Sequence, residues 1–438
     1  MPEGWAWCKL NDIYNFIDYR GATPTKITNG IPLVTAKNVK SGYIDYTIDD
    51  YISEEEFKER QQRGISKKGD ILFTTEAPLG NAALADMEKF SAGQRLITFQ
   101  QYGSKDELIN YVMLMFILSD FFQQQLYVNK TGSTVAGIKA AILKTLWIPV
   151  PPYNEQLRIS NTLKSAINLI DSISKNKEIL STSISNTKSK ILDLAIRGKI
   201  VPQDPNDEPA SVLLERIRAE KEELIKQGKI KRDKKESVIF KGDDNSYYLR
   251  TGGVEESLED WRFDDLPETW KICCLWELCD YGDCINVNTE DIAEDAWILD
   301  LEDIEKDTGT VLKKVTKAQR NSVSTKHKFH SGQVLYSKLR PYLNKVVLSD
   351  ADGYCTSEIL PLEFKNCVLP EYARYYLMSG TFIAYANHCS YGVKMPRLGT
   401  TDGKKAIFSL PPLSEQKRIV ETIDFCFMQL NKISEALA

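Results

Sequence analysis

The sequence lacks the features that mark membrane, secreted and disulfide-stapled proteins. Its 438 residues contain no apolar run long enough to span a bilayer, since even Tyr111 to Leu118 is far too short. No basic start followed by an apolar stretch opens the chain, which argues against a secretory leader. Nine scattered cysteines form no paired C-x-x-C motif and predict no disulfide framework. We therefore expect a cytoplasmic protein with reduced, mostly buried thiols and no membrane partner.

Signatures of catalysis are also scarce. No glycine-rich loop follows a strand in the pattern that binds a dinucleotide or ATP. An adenine methyltransferase carries Asn or Asp before Pro-Pro-aromatic, but Val150 precedes Pro151-Pro152-Tyr153 here. His327 and His330 lack a third ligand at diagnostic spacing, so we expect no metal site. The residues thus predict no catalytic site, no metal and no cofactor in this chain.

What the sequence does contain is an internal repeat. Pro-Pro-Tyr-Asn-Glu-Gln-Leu-Arg-Ile at 151–159 returns 260 positions later as Pro-Pro-Leu-Ser-Glu-Gln-Lys-Arg-Ile at 411–419. Residues 2–5 likewise match 267–270, and a turn glycine with its short apolar strand at 69–73 matches 332–336. A repeat of this length means that each half is a structural unit of its own. The repeat predicts two similar domains of mixed α/β (α+β) type.

A helix with coiled-coil periodicity follows each domain. Apolar residues recur at alternating spacings of four and three, which is the pattern of a narrow helix–helix seam. The seam positions are Ile159, Leu163, Ile170, Ile173, Leu180, Ile184, Ile191 and Leu194 in the first helix, and Ile419, Ile423, Leu430 and Ile433 in the second. Because both seams lie in one chain, the two helices are predicted to pack on each other. An amphipathic helix docking on its own domain stays open for the short second copy.

These patterns divide the chain into four parts. The first domain is predicted at 1–152 and the second at 265–411, with a distal helix at 412–438. Between the domains, 153–264 is predicted to hold the long seam helix at 155–197, ended by Gly198, a charged helix at 210–227, and a linker at 228–264.

The distribution of charge suggests surfaces for a polyanion. The net charge is only −5, yet no Asp or Glu occurs from Thr308 to Ser349, and none between Phe121 and Asn154. An acid-free basic stretch suits a phosphate-facing surface, although a solvated face explains it equally well. The candidate DNA-binding cations are Lys130, Lys139, Lys144, Lys313, Lys314, Lys317, Arg320, Lys326, Lys328, Lys338, Arg340, Lys345, Lys394 and Arg397.

The sequence resembles the specificity subunits of type I restriction-modification systems. The residues that carry the resemblance are the twice-used Pro-Pro-x-x-Glu-Gln-x-Arg-Ile and, above all, Gly-Lys-Ile-Val-Pro-Gln-Asp-Pro-Asn-Asp-Glu-Pro-Ala at 198–210. That passage runs into Leu-Glu-Arg-Ile-Arg-Ala-Glu-Lys at 214–221 and is similar to the central conserved region of the family. The resemblance covers the whole chain.

The resemblance implies a division of labour between subunits. Two target-recognition domains each read one half of a split, asymmetric DNA site, and the helices form an antiparallel coiled coil that sets the spacer. Two methyltransferase subunits dock on the conserved helical regions and methylate adenine N6, and restriction subunits then join. S-adenosylmethionine, Mg²⁺ and ATP are expected only on those partners. The distal copy has one short helix where the central region has two, so the two docking surfaces differ.

Two other readings stay open from the residues alone. Glu56 and Glu363 each stand in a Glu-x-Lys sequence that resembles part of a metal-dependent nuclease motif, although such triplets occur by chance in most chains of this length. A coiled-coil adaptor that joins two protein-binding domains would also explain the repeat and the seam.

Overall fold

The computed structural model describes residues 1–19, 23–47, 50–103, 108–132, 136–229, 236–244, 246–259, 265–320 and 323–437. The chain divides into two units, Met1–Lys175 and Asn176–Ala438, and the boundary falls inside the long seam helix. No helix in the described ranges combines the length and apolar character that crossing a lipid bilayer requires. Each unit mixes helices and strands, as the repeat predicts.

Unit 1 is built on a four-stranded antiparallel sheet with the strand order β2 (Tyr14–Asp18), β8 (Leu96–Gln101), β5 (Ile71–Thr75) and β6 (Leu79–Leu84). Its strands are β1 Ala6–Lys9, β2 Tyr14–Asp18, β3 Ile31–Val34, β4 Tyr51–Ile52, β5 Ile71–Thr75, β6 Leu79–Leu84, β7 Ser91–Ala92, β8 Leu96–Gln101 and β9 Trp147–Val150. Its helices are α1 Leu10–Ile13, α2 Glu54–Arg60, α3 Asn110–Leu118, α4 Asp120–Val128, α5 Ala140–Leu143 and the start of α6 Tyr153–Ala195. The buried side of α3 packs against Phe73 and Phe99, whose stacked rings lie 5.3 Å apart.

Unit 2 carries two larger sheets. One has five strands in the order β14 (Ile285–Val287), β17 (Lys326–Phe329), β20 (Gly353–Thr356), β15 (Trp297–Leu299) and β16 (Val315–Thr316). The other has three strands in the order β19 (Val346–Leu348), β18 (Val334–Ser337) and β21 (Ile359–Leu362). Its strands are β10 Ser237–Lys241, β11 Tyr247–Thr251, β12 Val254–Ser257, β13 Lys271–Cys274, β14 Ile285–Val287, β15 Trp297–Leu299, β16 Val315–Thr316, β17 Lys326–Phe329, β18 Val334–Ser337, β19 Val346–Leu348, β20 Gly353–Thr356, β21 Ile359–Leu362, β22 Ser390–Tyr391, β23 Arg397–Leu398 and β24 Ile407–Leu410. Its helices are α7 Ala210–Lys226, α8 Leu275–Leu278, α9 Pro370–Leu377, α10 Gly380–His388, α11 Thr400–Lys405 and α12 Leu413–Leu437.

The two units repeat one plan down to the register of a strand pair. In unit 1, β1 and β9 run antiparallel with Cys8 opposite Ile148. In unit 2, β13 and β24 pair in the same way, with Cys273 opposite Phe408. Each pair leads into its seam helix, α6 or α12, through the repeated Pro-Pro sequence. The prediction of two similar domains with a mixed fold is confirmed.

The long seam helix starts and ends within two residues of the predicted bounds. Gly198 follows its last turn with φ +67°, and the nitrogen of Lys199 donates back to the carbonyl of Leu194. This left-handed conformation, which glycine adopts without strain, satisfies carbonyls at the end of the helix. The predicted helix stop at Gly198 is thus confirmed.

Within unit 2 the end of α6 packs antiparallel to α12. Lys188 Nζ donates to Asn431 Oδ1 at 2.6 Å, whereas Ser409 Oγ, just before α12, donates to the Ile196 carbonyl at 2.8 Å. Of the predicted seam residues, Ile184, Ile419 and Ile423 are buried, and Ile191, Leu194 and Leu430 are half-buried. The antiparallel coiled coil is therefore present where the two helices overlap.

The middle of the predicted seam is exposed. The exposed fractions of Ile170, Ile173 and Leu180 are 60%, 58% and 41%, and that of Ile433 on α12 is 45%. Ile159 and Leu163 are half-buried, and Ile159 packs against the unit 1 core. The predicted seam is thus covered towards its ends and exposed at its middle positions. The reason is length, because α12 has 25 residues and α6 has 43.

The predicted linker at 228–264 contains a folded β-meander. Strands β10, β11 and β12 pair antiparallel in sequence order, within the described residues 236–244 and 246–259. Ile239, Leu249 and Leu258 from this meander pack with Ile272 and Ile407 of the β13–β24 pair. Part of the segment predicted as a linker is thus a folded sheet that packs on the second domain.

Candidate nucleic-acid interface

The acid-free basic segment, Thr308 to Ser349, supplies cations to an internal ion network. Asp303 is fully buried, and Arg320 reaches Asp303 at 2.6 Å and Asp300 at 2.5 Å. Lys326, only 2% exposed, lies 3.7 Å from Asp300. Buried carboxylates need opposite charges nearby, and these two cations provide them. Arg320 and Lys326 are therefore engaged inside the protein, which weighs against a direct contact with DNA, and that contact stays a prediction.

Four more cations of the acid-free segment already form ion pairs or hydrogen bonds within the protein. The segment itself contains no Asp or Glu, but acidic residues from outside it lie beside its lysines in the folded protein. Lys313 lies 3.7 Å from Asp303, Lys314 lies 2.7 Å from Asp350, Lys317 lies 3.0 Å from Glu294, and Lys345 donates to the Leu301 carbonyl at 2.6 Å. The electrostatic argument for a phosphate-facing surface is therefore weak at these four positions.

Four of the five remaining candidate cations of unit 2 lie at a joint between two loops. The Arg340 nitrogen donates to the Pro396 carbonyl at 2.7 Å, and the Leu398 nitrogen donates to the Lys338 carbonyl at 3.0 Å. These bonds tie the β18–β19 loop to the β22–β23 hairpin, which lies more than 50 residues later in the chain. The joint brings together Lys338, Arg340, Lys394 and Arg397. The exposed Lys328 lies apart from this joint, on β17 beside β14.

The four cations of the joint are not equally available to a ligand. Arg397 holds the Glu358 carboxylate through Nε and Nη2 at 2.9 to 3.1 Å, and these hydrogen bonds raise the pKa of its guanidinium. Lys338 and Arg340 are half-buried and Lys394 is exposed, and none of them has an ion-pair partner among the described residues. Lys338, Arg340 and Lys394 are therefore the cations that this joint can offer to a polyanion.

The tip of the β22–β23 hairpin projects apolar side chains into solvent. Val393 is fully exposed, Tyr391 is 61% exposed and Met395 is 43% exposed, while Tyr342 on the neighbouring loop is 50% exposed. Gly392 at the turn has φ +94°, a conformation that favours glycine. Exposed apolar side chains beside free cations suit contact with base edges as well as phosphates. Tyr342, Tyr391 and Met395 were not among the residues predicted from sequence, although their nearness to turn glycines or Pro341 was a usable signal.

Unit 1 contains the same loop joint. The Ile138 nitrogen donates to the Thr75 carbonyl at 3.0 Å, in the place of the Leu398 to Lys338 bond, and Glu76 pairs with Gly137 as Leu339 pairs with Arg397. The predicted cations of this unit are all exposed: Lys139 follows the joint directly, Lys130 lies over the Tyr127 ring at 4.8 Å, and Lys144 lies over Phe16 at 5.4 Å. Ser133 and Thr134, in the glycine-led loop before Lys139 that resembles the stretch around Gly392, lie outside the described residues.

The residues considered for metal chemistry have structural contacts instead. Glu56 accepts two hydrogen bonds from the Thr25 nitrogen, at 2.9 and 3.0 Å. Glu363 lies 2.7 Å from His330 Nε2, and His327 is buried against the Ile359 carbonyl. Across the described ranges, no group of three or more His, Cys, Asp or Glu is placed to hold a metal ion. No observation favours the nuclease reading.

Comparison with known proteins gives one consistent result. A family profile described as the type I restriction modification DNA specificity domain matches residues 2–181 and 267–436. The chain is similar to two type I restriction enzyme specificity subunits of Escherichia coli. It is 24% identical to the EcoDI subunit over 382 residues, which cover 85% of this chain and 75% of that protein. It is 26% identical to the EcoAI subunit over 502 aligned positions, which cover 99% of this chain and 79% of that protein.

Two solved structures share the fold across the whole chain. One comes from a study of complex assembly and conformational transition of the type I R-M system, with 16% identity and a TM-score of 0.60. The other is the HsdS subunit from Thermoanaerobacter tengcongensis, with 15% identity and a TM-score of 0.54. In both cases the match covers 100% of this chain and 93% of the other.

Proposed function

Because this chain belongs to the family of type I restriction-modification DNA specificity subunits, we propose that its two units read the two halves of a split, asymmetric duplex DNA site. The chain itself performs no chemistry in this proposal. It positions methyltransferase subunits, which supply S-adenosylmethionine and methylate adenine N6. Restriction subunits with ATP and Mg²⁺ join the same complex, which works on DNA in the cytoplasm.

The observation that carries the proposal is the loop joint, which occurs once in each unit. Each joint ties two distant loops together by the same backbone hydrogen bond, and each has exposed lysines at or beside it. Lysines and arginines on exposed loops hold the phosphate backbone, and the side chains between them select bases. A protein that reads a two-part site needs this arrangement twice.

The two joints differ in side chains, so the two half-sites should differ in sequence. Unit 2 has Tyr391 paired with Arg397 in its hairpin, whereas unit 1 has Thr131 paired with Gly137 at the equivalent place. Specificity depends on which donors, acceptors and apolar groups reach the base edges. Unlike side chains on a common scaffold therefore favour an asymmetric site.

The experiment that tests the function uses the chain together with its methyltransferase partner. Methylation profiling of DNA from cells that carry the system would identify the modified sequence. Binding is then measured on four duplexes, with the intact site, with either half-site scrambled, and with both scrambled. We expect each scrambled half to weaken binding by at least tenfold relative to the intact site, and affinity for every duplex to fall with salt.

Two outcomes would contradict the proposal. If all four duplexes bind equally well, the chain does not read sequence. If no salt-sensitive binding occurs at all, the chain is better described as the coiled-coil adaptor that its repeat also allows.

A further inference from the structure

A buried glutamate links the second domain to the central conserved passage. Glu415, in the second copy of the Pro-Pro-x-x-Glu-Gln sequence, is fully buried and accepts a hydrogen bond from Trp270 Nε1 at 2.9 Å. Its other oxygen accepts a hydrogen bond from the side-chain amide of Gln203. One turn later, Arg418 pairs with Asp207 at 2.6 Å. Two residues of α12 thus hold two residues of the central passage.

The segment Gln203–Asp207, which we call the strap, is held in place along its length. Gln203 also accepts a hydrogen bond from Thr269 Oγ1 at 3.1 Å, and the Asp207 side chain is only 8% exposed. Beyond the strap, the Ala210 nitrogen donates to the Thr269 carbonyl at 2.9 Å. The chemistry of the strap is a carboxamide followed four residues later by a carboxylate.

Unit 1 contains the same receiving residues, and no strap contacts them within its described residues. Trp5, Glu155 and Arg158 stand where Trp270, Glu415 and Arg418 stand in the repeat. The Trp5 Nε1 atom is buried and has no hydrogen-bond acceptor among the described residues. The side chains of Glu155 and Arg158 form no hydrogen bond or ion pair with the described part of the chain. A buried donor without an acceptor is costly, and a bound partner would relieve that cost.

The neighbouring face of unit 1 is also uncovered. Trp7, Trp147 and Phe121 are 44%, 47% and 49% exposed, and the Trp7 and Phe121 rings lie 5.4 Å apart. At the positions equivalent to Trp7 and Trp147, unit 2 has Ile272 and Ile407, which are buried under the β-meander. The same face of the same strand pair is therefore covered in one unit and open in the other. An open aromatic face next to unpaired polar groups marks a surface that binds protein.

We infer that Trp5, Glu155 and Arg158 of unit 1 form a docking site for a strap from a separate partner polypeptide. The strap carboxamide donates to Glu155, which turns to accept from Trp5 Nε1, and the strap carboxylate pairs with Arg158. Apolar residues of the same partner cover Trp7 and Trp147. A second copy of this chain is not the donor, because its own strap is held by Glu415 and Arg418. The inference goes beyond the reading of DNA and does not depend on it.

The test uses a fluorescent synthetic peptide with the sequence of residues 199–212, which contains the strap, as a stand-in for the partner. It is titrated against the full-length chain without DNA. We expect saturable binding with one peptide per chain. Replacing the glutamine of the peptide by leucine should weaken binding at least tenfold, since this change removes the carboxamide.

Charge reversal locates the contact. Arg158→Glu in the chain should weaken binding at least tenfold, and a peptide with Lys in place of its last strap residue, the Asp207 position, should restore binding to that variant. Lys190→Glu, an exposed position elsewhere on α6, is the matched control and should change nothing. Arg158 is exposed, so the variant should fold, and its melting curve verifies this.

A second readout follows the tryptophan. With ¹⁵N-labelled tryptophan, the Trp5 indole N–H signal, assigned with Trp5→Phe, should shift downfield when the peptide binds. Lack of saturable binding, equal binding to Arg158→Glu, or binding without a shift of that signal would each overturn the inference. So would a concentration-dependent increase in the mass of the chain that Arg158→Glu abolishes, since it would make a second copy the donor.

Discussion

The side-chain oxygen of Gln416 accepts a hydrogen bond from the backbone nitrogen of Leu369 across 2.8 Å. The amide nitrogen of the same side chain donates to the carbonyls of Cys367 and Pro411. In unit 1, Gln156 accepts from the Ile109 nitrogen at 2.7 Å and donates to the Pro151 carbonyl. The glutamine of the repeated motif is thus a buried clamp that joins the start of each seam helix to the start of α3 or α9.

Gln416→Leu should destabilise unit 2 by about 1–3 kcal/mol, because it leaves buried backbone groups without partners. Urea unfolding curves of the variant and the parent chain measure the difference. Gln429→Leu, at an exposed position of α12, is the control and should lie within about 0.5 kcal/mol of the parent. An equal effect of the two variants would show that the clamp contributes nothing specific.

Replacing Lys328, Lys338, Arg340 and Lys394 together by glutamine should weaken DNA binding for every sequence. Removing one cation that neutralises a phosphate lowers the slope of log K against log salt by about 0.9. The measurement is the salt dependence of binding, made with the chain in its complex. The control replaces Lys313, Lys314 and Lys317, which are paired with acids, and should change the slope by less. If both sets change it equally, the contrast between free and paired cations is wrong.

A four-residue insertion in the exposed part of α6, after Ser174, should change the preferred spacer. It adds about 6 Å of helix, close to two base pairs at about 3.4 Å each. A seven-residue insertion, which keeps the heptad phase, should lengthen the spacer by about three base pairs. Selection from a pool of duplexes with varied spacers provides the measurement. An unchanged spacer in both variants would mean that α6 does not set the distance.

Five cysteines should resist alkylation in the native protein. Cys273, Cys274, Cys279, Cys355 and Cys367 are buried. Burial raises the pKa of Cys274 to about 12 and that of Cys367 to about 11, so little reactive thiolate forms. Mass spectrometry after a short iodoacetamide pulse near neutral pH should show modification first at Cys8, Cys284, Cys389 and Cys426, the half-buried positions. Early modification of Cys273 in folded protein would contradict the packing around β13.

The contribution of His330 to stability should fall as pH rises. Its hydrogen bond to the Ser331 carbonyl and its contact with Glu363 raise the pKa of the imidazole. The stabilisation is therefore fully present below the ordinary histidine pKa of about 6.5 and disappears as pH rises through the higher folded value. Both side chains are about half exposed, so the effect stays below about 1 kcal/mol. The free energy of unfolding of the parent chain should exceed that of His330→Asn at about pH 5.5, and the two values should converge by about pH 8.5. A difference that stays constant with pH would exclude the ion pair.

Local pattern predicted the helices of this protein well. The seam helix was expected at 155–197 and lies at Tyr153–Ala195, and the charged helix was expected at 210–227 and lies at Ala210–Lys226. The β-meander was missed because its core residues, Ile239, Leu249 and Leu258, are separated by polar stretches and by turns. These residues come together in one buried cluster only after the three strands have paired.

The candidate site was less predictable, and the reason is electrostatic. Asp300 and Asp303 lie outside the acid-free segment in sequence but bind Arg320 and Lys326 in space. Charge pairing depends on distance after folding, and a window of sequence does not contain that distance. Tyr391 and Val393 are exposed for a similar reason, since only the loop joint determines where the hairpin tip points.

Two like domains, each followed by a seam helix, can be inferred from the order of residues alone, because repeats and helical periodicity are patterns along the chain. Folding decides which cations keep no ion-pair partner among the described residues, how far the seam is covered, and that a strap holds Glu415 whereas Glu155 has no such partner in the described part of the chain. Those outcomes depend on contacts between residues far apart in the chain. Two copies of one motif therefore carry the same local structure but different partners.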